Sequence, residues 1–212
     1  MKKIMFNDKY GLTKAVLDGN KTQTRRIINP KSYYGQPVSK IDIRINPIGE
    51  YQIYFYDDEG CEFDTDLLVP KYTVGEVVAI AQSYKDVVKN RNEAEEVLGY
   101  YSVNEELLTM EEMNAGWKNK MFVKAEYMPH QIKITNVTIE RLQNISNDDC
   151  LMEGIKIISE DPNDILFYAY SYDGKTGFHT PREAFASLID KISVGTWERN
   201  PFVWVYTFDL IK

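Results

Sequence analysis

Cysteine and histidine are almost missing from this chain: its 212 residues include two of each. Cys61 and Cys150 lie far apart and match no metal-ligand or redox spacing, so they read as small buried apolar residues in a reducing compartment. His130 and His179 are equally isolated, and neither a structural metal nor a cofactor is expected. No run approaches the roughly 18 apolar residues of a membrane helix. The start, Met1 to Asp8, has a basic pair but only three consecutive apolar residues. That is short of the ~7–15 apolar residues of a secretory signal, so a soluble, cytoplasmic protein is expected. An excess of positive charge is also lacking. With 25 Lys and Arg against 32 Asp and Glu, the net charge is -7. Coating nucleic acid by bulk charge is thereby excluded, and any RNA or nucleotide contact needs a local basic patch. Repeats, low-complexity stretches and linkers are absent too, which leaves one domain over residues 1–212.

What is present suits a mixed fold. The chain is 43% hydrophobic and 13% aromatic, enough for a core, and its 15 Tyr and nine Phe favour pleated, half-buried strands. Asn7 or Asp8 caps a short helix whose apolar face is Leu12, Ala15 and Val16, with Gly19 at its C-terminal end. Ile41, Ile43 and Ile45 alternate opposite Tyr51, Ile53 and Phe55 as a hairpin. Gly75 to Ala81 reads as a buried strand, and residues 85–116 as helical, with Thr109 and Glu112 in capping-box spacing. Ile132 and Ile134 share one strand phase and Val137 and Ile139 the other, which calls for a bulge near Thr135-Asn136. Ser146 and Asp149 open a helix that closes at Gly154. Thr180-Pro181-Arg182-Glu183 combines an N-cap, a first-position Pro and a capping-box Glu, predicting a helix that buries Ala184, Phe185, Leu188, Ile189 and Ile192. Phe202 to Phe208 is a strand with aromatics on one face. Short strands alternate irregularly with helices, which favours an α+β barrel over a doubly wound sheet.

Gly19-Asn20-Lys21-Thr22-Gln23-Thr24-Arg25-Arg26 resembles the G-x-K-T-x-T-x-R motif that opens ASCH domains. Three further blocks resemble the branch of that family found in phages and prophages, in the family's order. They are Val74 to Val78; Leu142 to Ser146 with Asp149 and Glu153-Gly154-Ile155; and Trp197 to Val205. The resemblance implies a PUA-like fold, a small distorted β-barrel with flanking helices, with family-variable insertions at about 30–73, 85–116 and 157–179. It also implies a cleft for RNA or a nucleotide-like ligand. Some relatives are amidohydrolases that remove an acyl group from the exocyclic amine of cytidine derivatives, using a Lys, a Thr and a Glu. By motif position those roles fall to Lys21, Thr24 and Glu153. Where many members of the branch carry Trp-Val-Arg-Glu, this chain has Ala79-Ile80-Ala81-Gln82.

Amide hydrolysis needs a nucleophile, a base and a donor for the leaving amine. Thr24 supplies the oxygen or positions a water. Lys21 acts as base only when neutral, a state that burial and the neighbouring Arg25 and Arg26 favour and a close Glu153 opposes. On a regular strand Lys21 and Thr24 point to opposite faces, so both are expected on a loop that turns them into one cleft. Arg25 and Arg26 are candidates for phosphate, which an Arg grips with two parallel hydrogen bonds. Gln82, Tyr84 and His130 complete the candidate ligand-binding set. Trp197, Trp204 and Tyr206 read as core, whereas Tyr168, Tyr170 and Tyr172 read as a lid over a ligand. The expected function is an RNA- or nucleotide-binding ASCH domain of phage or prophage origin. The alternatives are an amidohydrolase acting on a modified nucleoside such as an N4-acylcytidine, and a phage assembly or host-interaction protein.

Overall fold

A five-stranded sheet carries the candidate site near its two edge strands. The computed structural model describes residues 1–28, 38–47, 51–63, 69–87, 110–159, 168–170 and 176–211. Its main sheet has the order β1-β6-β7-β10-β2. The strands are β1 (Lys2–Ile4), β2 (Gln23–Ile27), β6 (Val77–Ile80), β7 (Gln131–Arg141) and β10 (Phe202–Ile211). β1 runs parallel to β6, pairing Ile4 with Ile80, while the other ladders are antiparallel. β1 itself goes unread in the sequence, because three residues carry too little alternation to signal a strand.

A second sheet stacks β3 (Lys40–Ile45), β4 (Tyr51–Tyr56) and β5 (Glu62–Phe63). The hairpin register sets Ile41 opposite Phe55 and Ile43 opposite Ile53, as the alternation implies. β8 (Lys156–Ile157) and β9 (Tyr168–Ala169) form a small ribbon. The helices are α1 (Leu12–Leu17), α2 (Tyr84–Val87), α3 (Met110–Gly116), α4 (Asn147–Met152), α5 (Pro181–Ile192) and α6 (Thr196–Arg199). The architecture is thus α+β with a mixed sheet. None of the described helices is long and apolar enough to cross a membrane. The helix expected over 85–116 is represented by α2 and α3; the segment between them, with Thr109, lies outside the described residues.

β7 and β10 form the spine. Thr207 pairs with Asn136 and Phe208 with Ile134, so Thr135 is an extra residue and the bulge falls where the phase change requires it. Phe202, Trp204, Tyr206 and Phe208 share one face of β10 and are all buried, as are Val203 and Val205 on the other face. Ile80, Ile132 and Ile134 are fully buried, each worth about 1.5–3 kcal/mol relative to exposure. A separate cluster holds Tyr84, Met113, Val123 and Met128.

The sheet does not close as the barrel expectation requires. Among the described residues β1 and β2 are its two edges and no ladder joins them. A side chain spans the gap instead: Arg26 Nη2 on β2 donates to the carbonyl of Met5, just past β1, at 2.6 Å.

Candidate functional site

Local chain geometry delivers Lys21 and Glu153 to the same place. α1 ends at Asp18, Gly19 takes a left-handed φ of 77°, and the amides of Asn20 and Lys21 both donate to Ala15 O, at 2.8 and 2.9 Å. Thr22 then bonds Met152 O through its amide and Phe208 N through its carbonyl, each at 2.9 Å, tying the loop to α4 and β10. On the opposite side, Ser146 caps α4 by accepting from Asp149 N at 3.0 Å, and Glu153 is the helix's C-cap. Gly154 follows with φ 97°, a conformation closed to most side chains. A Cβ there would lie 3.5 Å from both Ala15 and Lys21.

The Lys21 ammonium donates to the Glu153 carboxylate and, at 2.8 Å, to the Glu153 carbonyl. Lys21 is 2% exposed and Glu153 5%. Burial pushes the Lys21 pKa below its ordinary 10.5; Glu153 pulls it back up, and Arg26 and Arg25 push it further down. Thr24 is buried on β2 opposite Tyr206, and among the described residues nothing hydrogen-bonds its hydroxyl. The expected loop therefore holds Lys21 but not Thr24, whose strand begins at Gln23. Convergence is achieved because the chain leaves the loop and enters the strand between the two residues. Lys21, Thr24 and Glu153 all line one cavity of about 640 Å³.

The other expected site residues divide. Arg25 does not stand free for phosphate: its side chain is 2% exposed and bonds Glu140 at 2.7 Å, Glu153 at 3.2 Å and Asp149 at 3.4 Å. Three carboxylates converge there, so Arg25 holds β2 to β7 and to α4. Both arginines line the cavity, but the Arg26 guanidinium, 5.8 Å from the Phe6 ring centre, pairs with no carboxylate among the described residues. Gln82, Tyr84 and His130 are not among the described cavity-lining residues. Tyr84 is fully buried in the second cluster, its hydroxyl accepting from Lys124 N at 3.0 Å. Gln82 is 8% exposed and its Oε1 has no hydrogen-bond partner among the described residues. His130 is half-buried, and its carbonyl takes the Ile80 amide in the sheet. Tyr170, expected in a lid, is 5% exposed and packs against Tyr10 and Phe178. Tyr172 lies outside the described residues.

The cavity also contains residues that sequence reasoning missed. Lys120 reaches it from a distant loop, donating to Phe6 O and pairing with Asp8 at 2.7 Å. No local spacing announces that role. The apolar wall is the face of α5 carrying Phe185, Leu188, Ile189 and Ile192. Ile192, expected in the core, is 46% exposed because the helix end passes the core and borders the cavity. A charged floor and an apolar wall suit a ligand with a polar reacting group on a flat or apolar body. Among the described residues no group of three His, Cys, Asp or Glu is arranged to hold a metal ion.

No protein-family model, curated protein or solved structure matches the chain.

Proposed function

We propose that this chain is an ASCH-like, PUA-like protein whose large cavity receives a nucleoside or nucleotide and hydrolyses an amide on its base. One observation carries the reading. An ammonium, a carboxylate and a hydroxyl without a hydrogen bond among the described residues, those of Lys21, Glu153 and Thr24, line one cavity of about 640 Å³, and the ammonium is buried. That volume suits a small molecule, within the usual range of roughly 300–1,000 Å³. The motif resemblance supports the same three roles, and the free thiols of Cys61 and Cys150 suit a cytoplasmic setting.

The reaction adds water across an amide C–N bond. Lys21 becomes neutral by passing its proton to Glu153, which it already contacts. The Thr24 oxygen attacks the acyl carbon while its proton moves to the Lys21 amine. The resulting ammonium protonates the leaving exocyclic nitrogen, which departs as an amine. Water then hydrolyses the acyl ester on Thr24, releasing a carboxylic acid and restoring the hydroxyl.

A second reading, an RNA- or nucleotide-binding site without turnover, is favoured by the same Lys21–Glu153 contact, because a close carboxylate holds the ammonium charged. Mass spectrometry separates the two. Purified protein is offered a panel of acylated cytidines and adenosines, with Lys21→Ala and Thr24→Val as controls. Release of free nucleoside by the wild type and by neither variant is the expected result. Binding without release, by folded protein, would leave the second reading in place.

A further inference from the structure

The large cavity shares a wall with a second, smaller cleft of about 300 Å³, and the proposed reaction makes no use of that cleft. Met5, Arg26 and Ile27 line both. Arg26 and Ile27 lie on the edge strand β2 and Met5 just past the edge strand β1, so both clefts border these strands. The smaller one has an aromatic floor of Tyr72, Trp204 and Tyr206, with Tyr72 and Tyr206 edge-to-face at 5.3 Å.

Among the described residues its charge is one-sided. Lys3, Lys71 and Arg26 line it, and among the described residues no carboxylate does. The Lys71 ammonium lies 5.4 Å from the Tyr72 ring centre and meets no carboxylate among the described residues. Lys3 is held by neutral acceptors, the carbonyls of Met121 and Val123 at 2.7 and 2.6 Å, while Glu126 acts on it from outside the lining. Glu76 is engaged by Lys2 at 2.9 Å. Arg26 uses one of its donors, on Met5 O, and the rest are unspent among the described residues. Three cations over an apolar floor repel one another, and an anion entering the cleft relieves that repulsion.

We propose that the small cleft is a phosphate site, taking the phosphate of the ligand whose base occupies the large cavity, with Arg26 as the donor shared at the junction. This rests on the nucleoside reading of the large cavity. Arg26 grips two phosphate oxygens through its planar fork, while Lys71 and Lys3 act as point charges on either side. The phosphate is either the terminal group of a mononucleotide or the internal phosphodiester of a longer strand; the chemistry of recognition is the same.

Calorimetry on the full chain tests this with four probes: cytidine, cytidine 5′-monophosphate, a cytidine dinucleotide and inorganic phosphate. Lys71→Glu is the comparison variant, since Lys71 is exposed and outside the reacting trio. A phosphate-bearing probe should bind about tenfold or more tightly than cytidine. That gain should vanish in Lys71→Glu, with cytidine affinity unchanged. Trp204 fluorescence should respond to the phosphate-bearing probes alone, a response lost in Trp204→Phe. A gain with the monophosphate assigns the terminal group, and a gain confined to the dinucleotide assigns the phosphodiester; either supports the site. Equal affinity for the three cytidine probes, or a gain that survives Lys71→Glu, overturns it. Inorganic phosphate bound in a Lys71-dependent manner with no cytidine binding would keep the anion site and overturn the nucleoside reading.

Discussion

The Lys21 ammonium and the Glu153 carboxylate meet inside the protein although 132 positions separate them in the chain. The two partners are not equally provided for. Glu153 keeps a second cation in Arg25 at 3.2 Å, whereas the one carboxylate in direct contact with Lys21, among the described residues, is that of Glu153.

This asymmetry sets the outcome of removing either partner. Glu153→Gln strands a buried ammonium and should cost about 3–5 kcal/mol of stability. Lys21→Met leaves Glu153 paired with Arg25 and should cost clearly less. Urea unfolding of the two variants measures the difference, and equal costs would contradict the account.

Stability should also depend on pH through Lys21. Its pKa is depressed in the folded state, mainly by burial. A depressed lysine contributes stability that is present above the unfolded value of 10.5 and is lost as pH falls through the folded value. The unfolding free energy of wild type minus that of Lys21→Met should therefore rise as pH climbs toward 10.5. A flat difference would place the amine at its ordinary pKa.

The two thiols should behave differently. Cys61 is exposed, while Cys150 is fully buried and its pKa is pushed up to about 12, chiefly by burial. A thiolate-selective reagent should modify one cysteine in the folded protein and both after denaturation. Rapid modification of Cys150 in the folded state would show that the α4 region opens readily.

The capping box of α5 provides a local test. Thr180 accepts from Glu183 N at 3.1 Å, and the Glu183 carboxylate reaches back one residue further than usual, to His179 N at 3.1 Å. Thr180→Ala should cost about 1 kcal/mol, and Thr180→Ser much less. Because α5 forms the apolar wall of the cavity, the same variant should also weaken ligand binding, which calorimetry with cytidine reads.

Close packing makes Gly116 sensitive. A Cβ there would lie 2.4 Å from the Tyr84 ring, which is buried and anchored through its hydroxyl to Lys124 N. Gly116→Ala should lower stability by about 1–3 kcal/mol through overpacking. A thermal melt at the wild-type temperature would show that the ring shifts freely.

The sequence by itself determined what depends on near neighbours. Periodicity and capping residues placed α4, α5, the β3–β4 hairpin and β10, because each is decided by interactions a few positions apart. The apolar spacing placed α1; its expected cap, Asn7, instead caps a 3-10 turn over Asp8–Tyr10, and α1 begins after Gly11. Even the bulge at Thr135 was legible, since an extra residue must reverse the alternation of Ile132, Ile134, Val137 and Ile139. The run Lys21 to Arg26 pointed to the candidate site through the motif it resembles, and Lys21, Thr24, Arg25 and Arg26 line one cavity.

Tertiary structure alone decided what those residues do. Arg25 and Arg26 are adjacent and chemically identical, yet their strand turns one toward Glu140, Asp149 and Glu153 and the other toward the Met5 carbonyl. Tyr84 and Tyr170 could face a ligand by composition, and the packing of distant elements buries both. Lys120 enters the cavity, and Lys71 the smaller cleft, on loops whose own residues carry no sign of it. Charge and hydroxyl chemistry are properties of single residues, whereas burial, pairing and a shared cavity arise only when segments far apart in the chain are brought into contact.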